Sequence, residues 1–305
     1  MTGEPVLVLG ATGRHGNTGA HLVSRLRQEG RAVRALVRAT GPRTDALAKL
    51  GAEIVVGDLH DRRTLVTALT DVMSAYFTYP VAAGIVDAAA NYAAAVRDTG
   101  SAARTVVMSM GPAHPQSPSG LGRSQWLAEQ VLQWAGVEVV ILRVAALFHE
   151  NLKLLHARSI ATERSFRNSF GTQQVAWISG QDAAELAVAA LLDPRRFAGQ
   201  VVHVPGPEQF SHPEIAEKLS VMLGVPVEFD PVSKDRWRQE LENLDVPGVN
   251  SAMAQHISEL GHIVSRSGPT VPADPQALMW YTGSVPVSLD DFLRANATEF
   301  GGSAR

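Results

Sequence analysis

A chain of 305 residues, 45% hydrophobic and 19% charged, carries enough apolar side chain for a sizeable core, which excludes a disordered tail and a charge-rich coiled coil. A formal charge of −3 offers no broad positive field to a polyphosphate backbone, so no nucleic-acid partner is expected. The lack of cysteine excludes disulfide frameworks, Cys-based metal centres and thiol nucleophiles. The N-terminal segment has no basic n-region and reads as a strand, not a signal peptide, and nothing approaches the ~18 apolar residues of a membrane span. A cytoplasmic protein with no membrane partner is the expectation.

Up to about residue 150, short β-branched runs alternate with longer helical patterns. Strands are predicted over 6–9, 32–36, 53–56, 74–77, 105–109 and 138–142, apolar almost throughout, as parallel strands covered on both faces are. Helices are predicted over 18–29, 44–50, 61–69, 85–98 and 124–134, several ending at a glycine (Gly30, Gly51, Gly100, Gly136) suited to the left-handed position after a helix. This alternation predicts a doubly wound parallel sheet. The glycines of 117–122 sit among Pro and Ser and read as a loop leading into the Ser124 helix.

Beyond 150 the rhythm changes. Residues 151–174 are polar and irregular, 175–179 a strand, 181–192 a helix with Asp182 near its start, and 201–204 a further strand. Over 211–223 a helix is predicted in which Ser211, Pro213 and Glu214 supply a capping box. Residues 232–305 are helical and loop-rich, with fraying expected over 301–305. The fold class is thus α/β: a Rossmann-type doubly wound parallel sheet over 1–150, to which about 175–204 returns, and a small C-terminal α/β substrate lobe over 151–305.

The most informative segment follows the first strand: Gly10, Gly13 and Gly16 in G-x-x-G-x-x-G spacing, then an apolar-periodic helix with Leu22, Val23 and Leu26. In a dinucleotide-binding turn Gly10 permits the tight turn, Gly13 lets backbone approach a pyrophosphate, and Gly16 lets the helix pack close to the sheet. Specificity is read at the end of the second strand, where an acidic residue would hold the adenosine ribose. This chain offers Arg38 there and Arg14 in the turn. Two guanidinium forks suit a 2′-phosphate, so NADP(H) is favoured over NAD(H). The alternative is that Arg31, Arg34, Arg38 and Arg43 form a solvated face. Asp58, on the binding reading, lies beside the adenine.

The turn from Gly10 to Gly16, the Leu36–Arg38 strand end, the Gly57–Leu59 step and the segment from Ala75 to Pro80 resemble the NmrA-like branch of the atypical short-chain dehydrogenase/reductases. Ile141–Arg143 followed by Phe148–Asn151 is similar to that family's strand-to-loop passage beside the nicotinamide, and 282–293 to its usual ending. The likeness runs over nearly the whole chain. It implies a Rossmann-type core with a small substrate lobe, binding NADP(H) through Gly10, Thr12, Gly13, Arg14, His15, Gly16, Arg38, Asp58, Leu59, Thr78 and Tyr79. Members include quinone reductases, isoflavone-reductase-like enzymes, tailoring reductases and dinucleotide-binding regulators, among which fold alone does not choose.

The chain departs from the short-chain dehydrogenase pattern of a Tyr with a Lys four residues later, the Lys lowering the phenol's pKa for proton transfer. Four residues after Tyr76, Tyr79, Tyr92 and Tyr281 stand Pro80, Ala83, Val96 and Val285. If Glu129 takes the family's acidic position, the Lys site falls near Gln125 or Trp126, and a neutral amide cannot replace an ammonium. The remaining catalytic candidates are Ser109, Gln125 and His149. Ser109 reads equally as a strand-end cap, and His149 as a surface histidine. Met110, Trp126, Phe148 and Asn151 are the substrate-side candidates. Tyr79 and Trp126 serve as ring-stacking walls or as plain packing, and Leu154, Leu155, Phe166, Phe170 and Trp177 line an apolar pocket or form core.

No metal is expected, since His149 and Glu150 begin like a zincin helix that lacks its second His, and neither a Gly-x-Ser-x-Gly elbow nor a Walker lysine occurs. The reading is therefore an NADPH-dependent reductase passing hydride to a small apolar or aromatic quinone, enone or related carbonyl without a Tyr-Lys pair. The alternatives are a non-catalytic NADP(H)-sensing regulator and a non-redox biosynthetic enzyme on the same fold. A homodimer is left open.

Overall fold

In the structure, a computed structural model describing residues 4–13, 16–101, 103–197, 201–268 and 271–302, the apolar runs of the first half become six strands: β1 (Val6–Leu9), β2 (Val33–Val37), β3 (Glu53–Val56), β4 (Ser74–Phe77), β5 (Arg104–Met110) and β6 (Val139–Ala145). Five helices separate them: α1 (Thr18–Gln28), α2 (Pro42–Lys49), α3 (Arg62–Ala68), α4 (Ile85–Thr99) and α5 (Gly120–Trp134). There follow β7 (Leu147–Phe148), α6 (Glu150–Glu163), β8 (Ser165–Asn168), β9 (Val175–Ile178), α7 (Gly180–Leu192) and β10 (Val201–Pro205). The chain ends with β11 (Glu208–Phe210), α8 (His212–Leu223), β12 (Glu228–Pro231), α9 (Lys234–Glu242), α10 (Ser251–Ser267), α11 (Pro275–Thr282) and α12 (Leu289–Ala295), plus two short 3₁₀ turns.

The principal sheet has the order β10-β6-β5-β4-β1-β2-β3. Its pairings from β3 through β6 are parallel, with Val6 opposite both Val33 and Ser74. All four residues of β1 are buried, as a central parallel strand covered on both faces requires. Helix α1 turns Leu22, Val23 and Leu26 into the core, one stripe at helical spacing. Because β1 leads on to β2 on one side and the chain later returns to β4 on the other, the strand order reverses between β1 and β4, the position where doubly wound sheets bind ligands at their carboxyl edge.

The chain divides into two compact units. One holds the chain up to Ser117, then Leu121–Val144 and Ala183–His203; the other holds Pro118–Gly120, Ala145–Asp182 and the chain from Val204 onward. The boundary thus falls six residues before the expected 150, and of the returning segment only Ala183–His203 joins the first unit. Strand β9 instead pairs with β7 and β11 in a three-stranded sheet of the second unit. That unit has its own core, in which Leu152, Ile160, Phe166, Trp177, Ile215 and Leu219 are buried together.

Three local expectations are corrected. Residues 151–174 are not irregular: α6 buries Leu152, Leu155, His156 and Ile160 on one face, and β8 pairs in parallel with β12. The stripe is hidden in the sequence because an imidazole occupies one of its apolar positions. The 117–122 loop ends early, since α5 begins at Gly120; a side chain at Gly122 would come within 2.7 Å of the Pro112 carbonyl, so glycine there allows close packing. Helix α2 starts at Pro42, which needs no N–H at a first-turn position. The capping box of α8 is present, Ser211 accepting from the Glu214 amide and Glu214 from the Ser211 amide. Among the described residues, no helix is long and apolar enough to cross a membrane.

Candidate functional site

The first unit gathers most of the candidate residues at the carboxyl edge of its parallel strands. Gly10 leaves β1 with φ +82°, and a Cβ there would lie 2.5 Å from the Thr78 methyl and 3.0 Å from the Thr78 carbonyl beyond β4. The Gly13 amide donates back to the Gly10 carbonyl at 2.9 Å, closing the turn that contains Thr12. Gly16 is buried and takes φ +66°. A close approach lies at Gly19: a Cβ there would stand 2.5 Å from the Gly10 carbonyl oxygen and 2.7 Å from Ala11 Cα. Arg14 and His15 lie outside the described residues.

Helix α1 opens without a side-chain cap, after Asn17 in the left-handed region, and has no acidic residue in its first turn. Its positive end and first amides meet no competing carboxylate there, the condition for receiving a phosphate. Arg38 is exposed just past β2 and makes no hydrogen bond or ion pair among the described residues. Arg43, exposed in the first turn of α2, donates to the Thr12 carbonyl at 2.9 Å and brings a second guanidinium to the turn. Arg34 is consumed by Glu53 at 2.8 Å and by the Ala68 and Thr70 carbonyls, so the solvated-face reading does not describe it.

Beyond β3, Asp58 accepts from the His60 amide at 2.9 Å and its own amide donates to Thr64, while Leu59 packs partly buried against the core. Tyr79 is half-buried; its Oη lies 2.8 Å from His60 Nε2 and donates to the Ala83 carbonyl. Burial and the Asp58 charge push this phenol upward, and Arg38 pulls it back. Asp58 and Arg38 thus act on the Tyr79 phenol in opposite directions.

At the ends of β5 and β6, Ser109 stands opposite Arg143 and donates to Glu129 of α5, whose side chain is 0% exposed and forks to the Arg143 guanidinium. The Ser109 proton is committed to that carboxylate, leaving only lone pairs for a ligand. Gln125, one turn earlier on α5, is buried with Nε2 unpartnered. Trp126 and Met110 are half-buried. Tyr76 and Tyr92 are enclosed in the core, their hydroxyls on Thr18 and Thr105, and burial pushes the Tyr76 phenol up to about 12 and Tyr92 higher still.

The second unit holds the other candidates. His149 is not a surface histidine: it is 0% exposed, packs its ring against Phe292 and has neither ring nitrogen partnered. Burial pushes it down to about 4, so it is neutral at pH 7 and carries no proton to give as an imidazolium. Phe148 and Asn151 are half-buried beside it in the chain. Glu150 accepts from the Gly180 amide at 3.0 Å, and burial raises its carboxyl to about 7. Leu155, Phe166, Phe170 and Trp177 are all buried.

Three residues escape the sequence reading here. Trp237 stacks on His156 at 5.3 Å, Asn168 presents an unpartnered buried amide nitrogen, and His212 stacks on Phe229 at 5.4 Å. In the first unit Gly19 was the omission, though it continues the three-residue glycine spacing, and Arg43, named only in the solvated-face alternative, reaches the turn. Among the described residues no group of three or more His, Asp or Glu could hold a metal ion.

The first unit's geometry fits a dinucleotide: a turn whose glycines leave no room for Cβ atoms, an uncapped helix end, the Arg43 fork on that turn, an exposed Arg38 past β2 and an orphaned amide donor at Gln125. Comparison with known proteins points the same way. The model of the NmrA-like family matches residues 2–268. An NAD(P)H azoreductase of Xenophilus azovorans is 30% identical over 307 residues, covering 97% of this chain and 99% of the relative. The Citrobacter sp. triphenylmethane reductase complexed with NADP(H) superposes with a TM-score of 0.78 at 21% identity, covering 95% of this chain and 99% of its own. The NADPH-dependent quinone oxidoreductase of Escherichia coli complexed with NADPH gives 0.78 at 20% identity, with the same two coverages.

Proposed function

The chain belongs to the NmrA-like family, and on that premise we propose that it is an NADP(H)-dependent oxidoreductase reducing a small conjugated acceptor such as a quinone, an enone or an azo compound. The observation that carries the reading is a glycine-spaced turn on the carboxyl edge of the sheet, to whose Thr12 carbonyl Arg43 donates at 2.9 Å, with Arg38 exposed just past β2. Gly10, Gly13 and the first amides of α1 receive the diphosphate, and Gly19 lets that helix stand against the turn. Arg38 and Arg43 take a 2′-phosphate by charge-assisted hydrogen bonds, which favours NADP(H) over NAD(H). Asp58 and Tyr79 border the adenine, and the Gln125 amide donates to a ribose or acceptor oxygen.

The dinucleotide, when bound, supplies hydride. No Tyr-Lys relay accompanies it: Tyr76 and Tyr92 are buried with raised pKa values, and neutral His149 has no proton to spare at pH 7. Conjugated acceptors suit such a site, because the electron pair delocalises onto the acceptor and water supplies the proton. Paired calorimetric titrations with NADPH and NADH test the reading, followed by the reduced-nicotinamide absorbance with a panel of quinones, enones and azo dyes. Tighter NADPH binding with acceptor-dependent oxidation is expected. Tight binding without oxidation across the panel would favour an NADP(H) sensor.

A further inference from the structure

The sheet order sets β3 and β4 on either side of the β1–β2 pair, so the segments leaving their carboxyl ends start three strand spacings apart, about 14 Å. Two side chains nevertheless join them. His60 Nε2, from the segment after β3, lies 2.8 Å from Tyr79 Oη, from the segment after β4, with the two rings edge to face at a centroid distance of 5.8 Å. The pair of strands thus spanned is the one whose ends lead into the glycine turn at Gly10 and to Arg38. The charges of Asp58 and Arg38 both act on the Tyr79 phenol, which sets the bridge beside them.

The bridge is built from both sides. Asp58 accepts the His60 amide at 2.9 Å, a local turn that fixes where the imidazole starts. Tyr79 gives its one hydroxyl proton to the Ala83 carbonyl at 3.1 Å, so His60 Nε2 carries the hydrogen of the shared bond and donates it. Gly84 leaves the room that the two rings need: a Cβ there would come within 2.7 Å of Tyr79 Oη and 3.0 Å of His60 Cε1, and its φ of +108° suits glycine. Tyr79 is half-buried and His60 exposed. Water would satisfy either group at such a surface, so burial does not impose the bond.

We propose that His60 is a positioning residue for dinucleotide binding: by holding the Tyr79 ring at the sheet edge it presets a wall for the adenine, the part that NADPH and NADH share. Taking adenine as the group bound there rests on the function proposed above; the bridge itself does not. A ring held before its ligand arrives loses less rotamer freedom on binding, so removing the bond weakens the complex. This contribution falls on the base and not on the 2′-phosphate. It therefore differs in kind from that of Arg38 and Arg43, and both dinucleotides gain from it alike.

The test is calorimetric titration of the full chain and its variants with NADPH and with NADH. His60→Phe keeps a ring and removes the donor; it should weaken both dinucleotides about fivefold, the effect of one neutral hydrogen bond, and leave their affinity ratio unchanged. His60→Gln restores a side-chain N–H of similar reach and should return both affinities to within about twofold of the unsubstituted chain, a rescue that lost ring packing would not show. Tyr79→Phe should match His60→Phe, and the double variant should bind no more weakly than either single one, because both remove the same bond. Unchanged affinity in His60→Phe, a loss confined to NADPH, or losses that add in the double variant would overturn the proposal. An unsubstituted chain that binds neither dinucleotide would remove the function proposed above and this wall with it. Binding that His60→Phe weakens, without oxidation by any acceptor, would keep the wall and lose the reductase reading; oxidation with an affinity that His60→Phe leaves unchanged would do the reverse.

Discussion

At the sheet edge of the first unit the candidate groups are cationic and exposed, Arg43 reaching the Thr12 carbonyl of the glycine turn and Arg38 standing just past β2. In the second unit they are neutral and buried, with imidazole, indole and amide packed into an aromatic core. The difference follows from the solvation of each region. A polyanion is best met by charges that remain hydrated until it arrives, because a buried unpaired cation would be too costly. The imidazoles, indole and amide of the second unit are neutral, as groups buried among apolar side chains without a charged partner must be. The same contrast means that acid should act chiefly on the second unit and loss of cations on the first.

Acid gives the largest expected effect. His149, His156 and His212 are held neutral, with pKa values lowered to about 4, 3 and 3, against ~6.5 in the unfolded chain. Below pH ~6.5 the unfolded state binds protons that the folded state refuses, so stability is full above that pH and falls as pH drops toward 4, by ~1.4 kcal/mol per pH unit for each. Glu150, raised to about 7, has the opposite sign between pH ~4.5 and 7, where the folded state keeps a proton that the unfolded state has lost. The net loss between pH 6.5 and 4.5 is at most ~5 kcal/mol, measurable as a fall in the urea midpoint. His212→Phe should remove about a third of the histidine contribution. A midpoint unchanged across this range would contradict the buried neutral imidazoles.

Next in size is Gly19→Val. Its side chain cannot occupy a space 2.5 Å from the Gly10 carbonyl, so α1 must move off the turn at a cost of ~1–3 kcal/mol, with NADPH binding lost by calorimetry. The same change at Gly30, which has open space but φ +71°, should lower stability through backbone strain and leave NADPH affinity intact. Equal NADPH affinity for the two variants would remove the turn from the site.

Much of the sheet unit is legible in the sequence because its signals are local. A strand, a glycine-spaced turn and an amphipathic helix are contiguous from Val6 to Gln28, and the Ser211 capping box is contained in four residues. Arg43 was harder to place, since only the path of the chain between β2 and α2 returns it to Thr12. In α6 the helical period was obscured by His156, a nominally polar residue in an apolar stripe. The small cavity in the core of the second unit was not legible: its lining comes from positions as distant as Leu147 and Ile257, and tertiary packing alone decides which indole or amide loses its partner.

Replacing a cation sharpens the first half of the contrast. Arg43→Ala and Arg38→Ala should each weaken NADPH about tenfold, the worth of a charge-assisted hydrogen bond, and leave NADH within about twofold. An equal loss for both dinucleotides would mean that the arginines hold the diphosphate or the fold and not the 2′-phosphate. The smallest effect is expected at Ser109→Ala, which removes the hydroxyl donor to Glu129 while Arg143 remains: ~1–2 kcal/mol of stability by denaturant titration, with turnover reduced little. A loss of turnover beyond a hundredfold with stability intact would make Ser109 a catalytic residue.

The most direct test of the central claim is a single-turnover experiment in which the chain, saturated with NADPH, is mixed with excess menadione and the reduced-nicotinamide absorbance is followed. The account predicts loss of the whole bound NADPH signal at a rate well above the uncatalysed reaction, with one hydroquinone formed per NADPH consumed and Arg43→Ala slower at subsaturating NADPH. Stable NADPH absorbance in the presence of menadione, and equally of an enone and an azo dye, would contradict it.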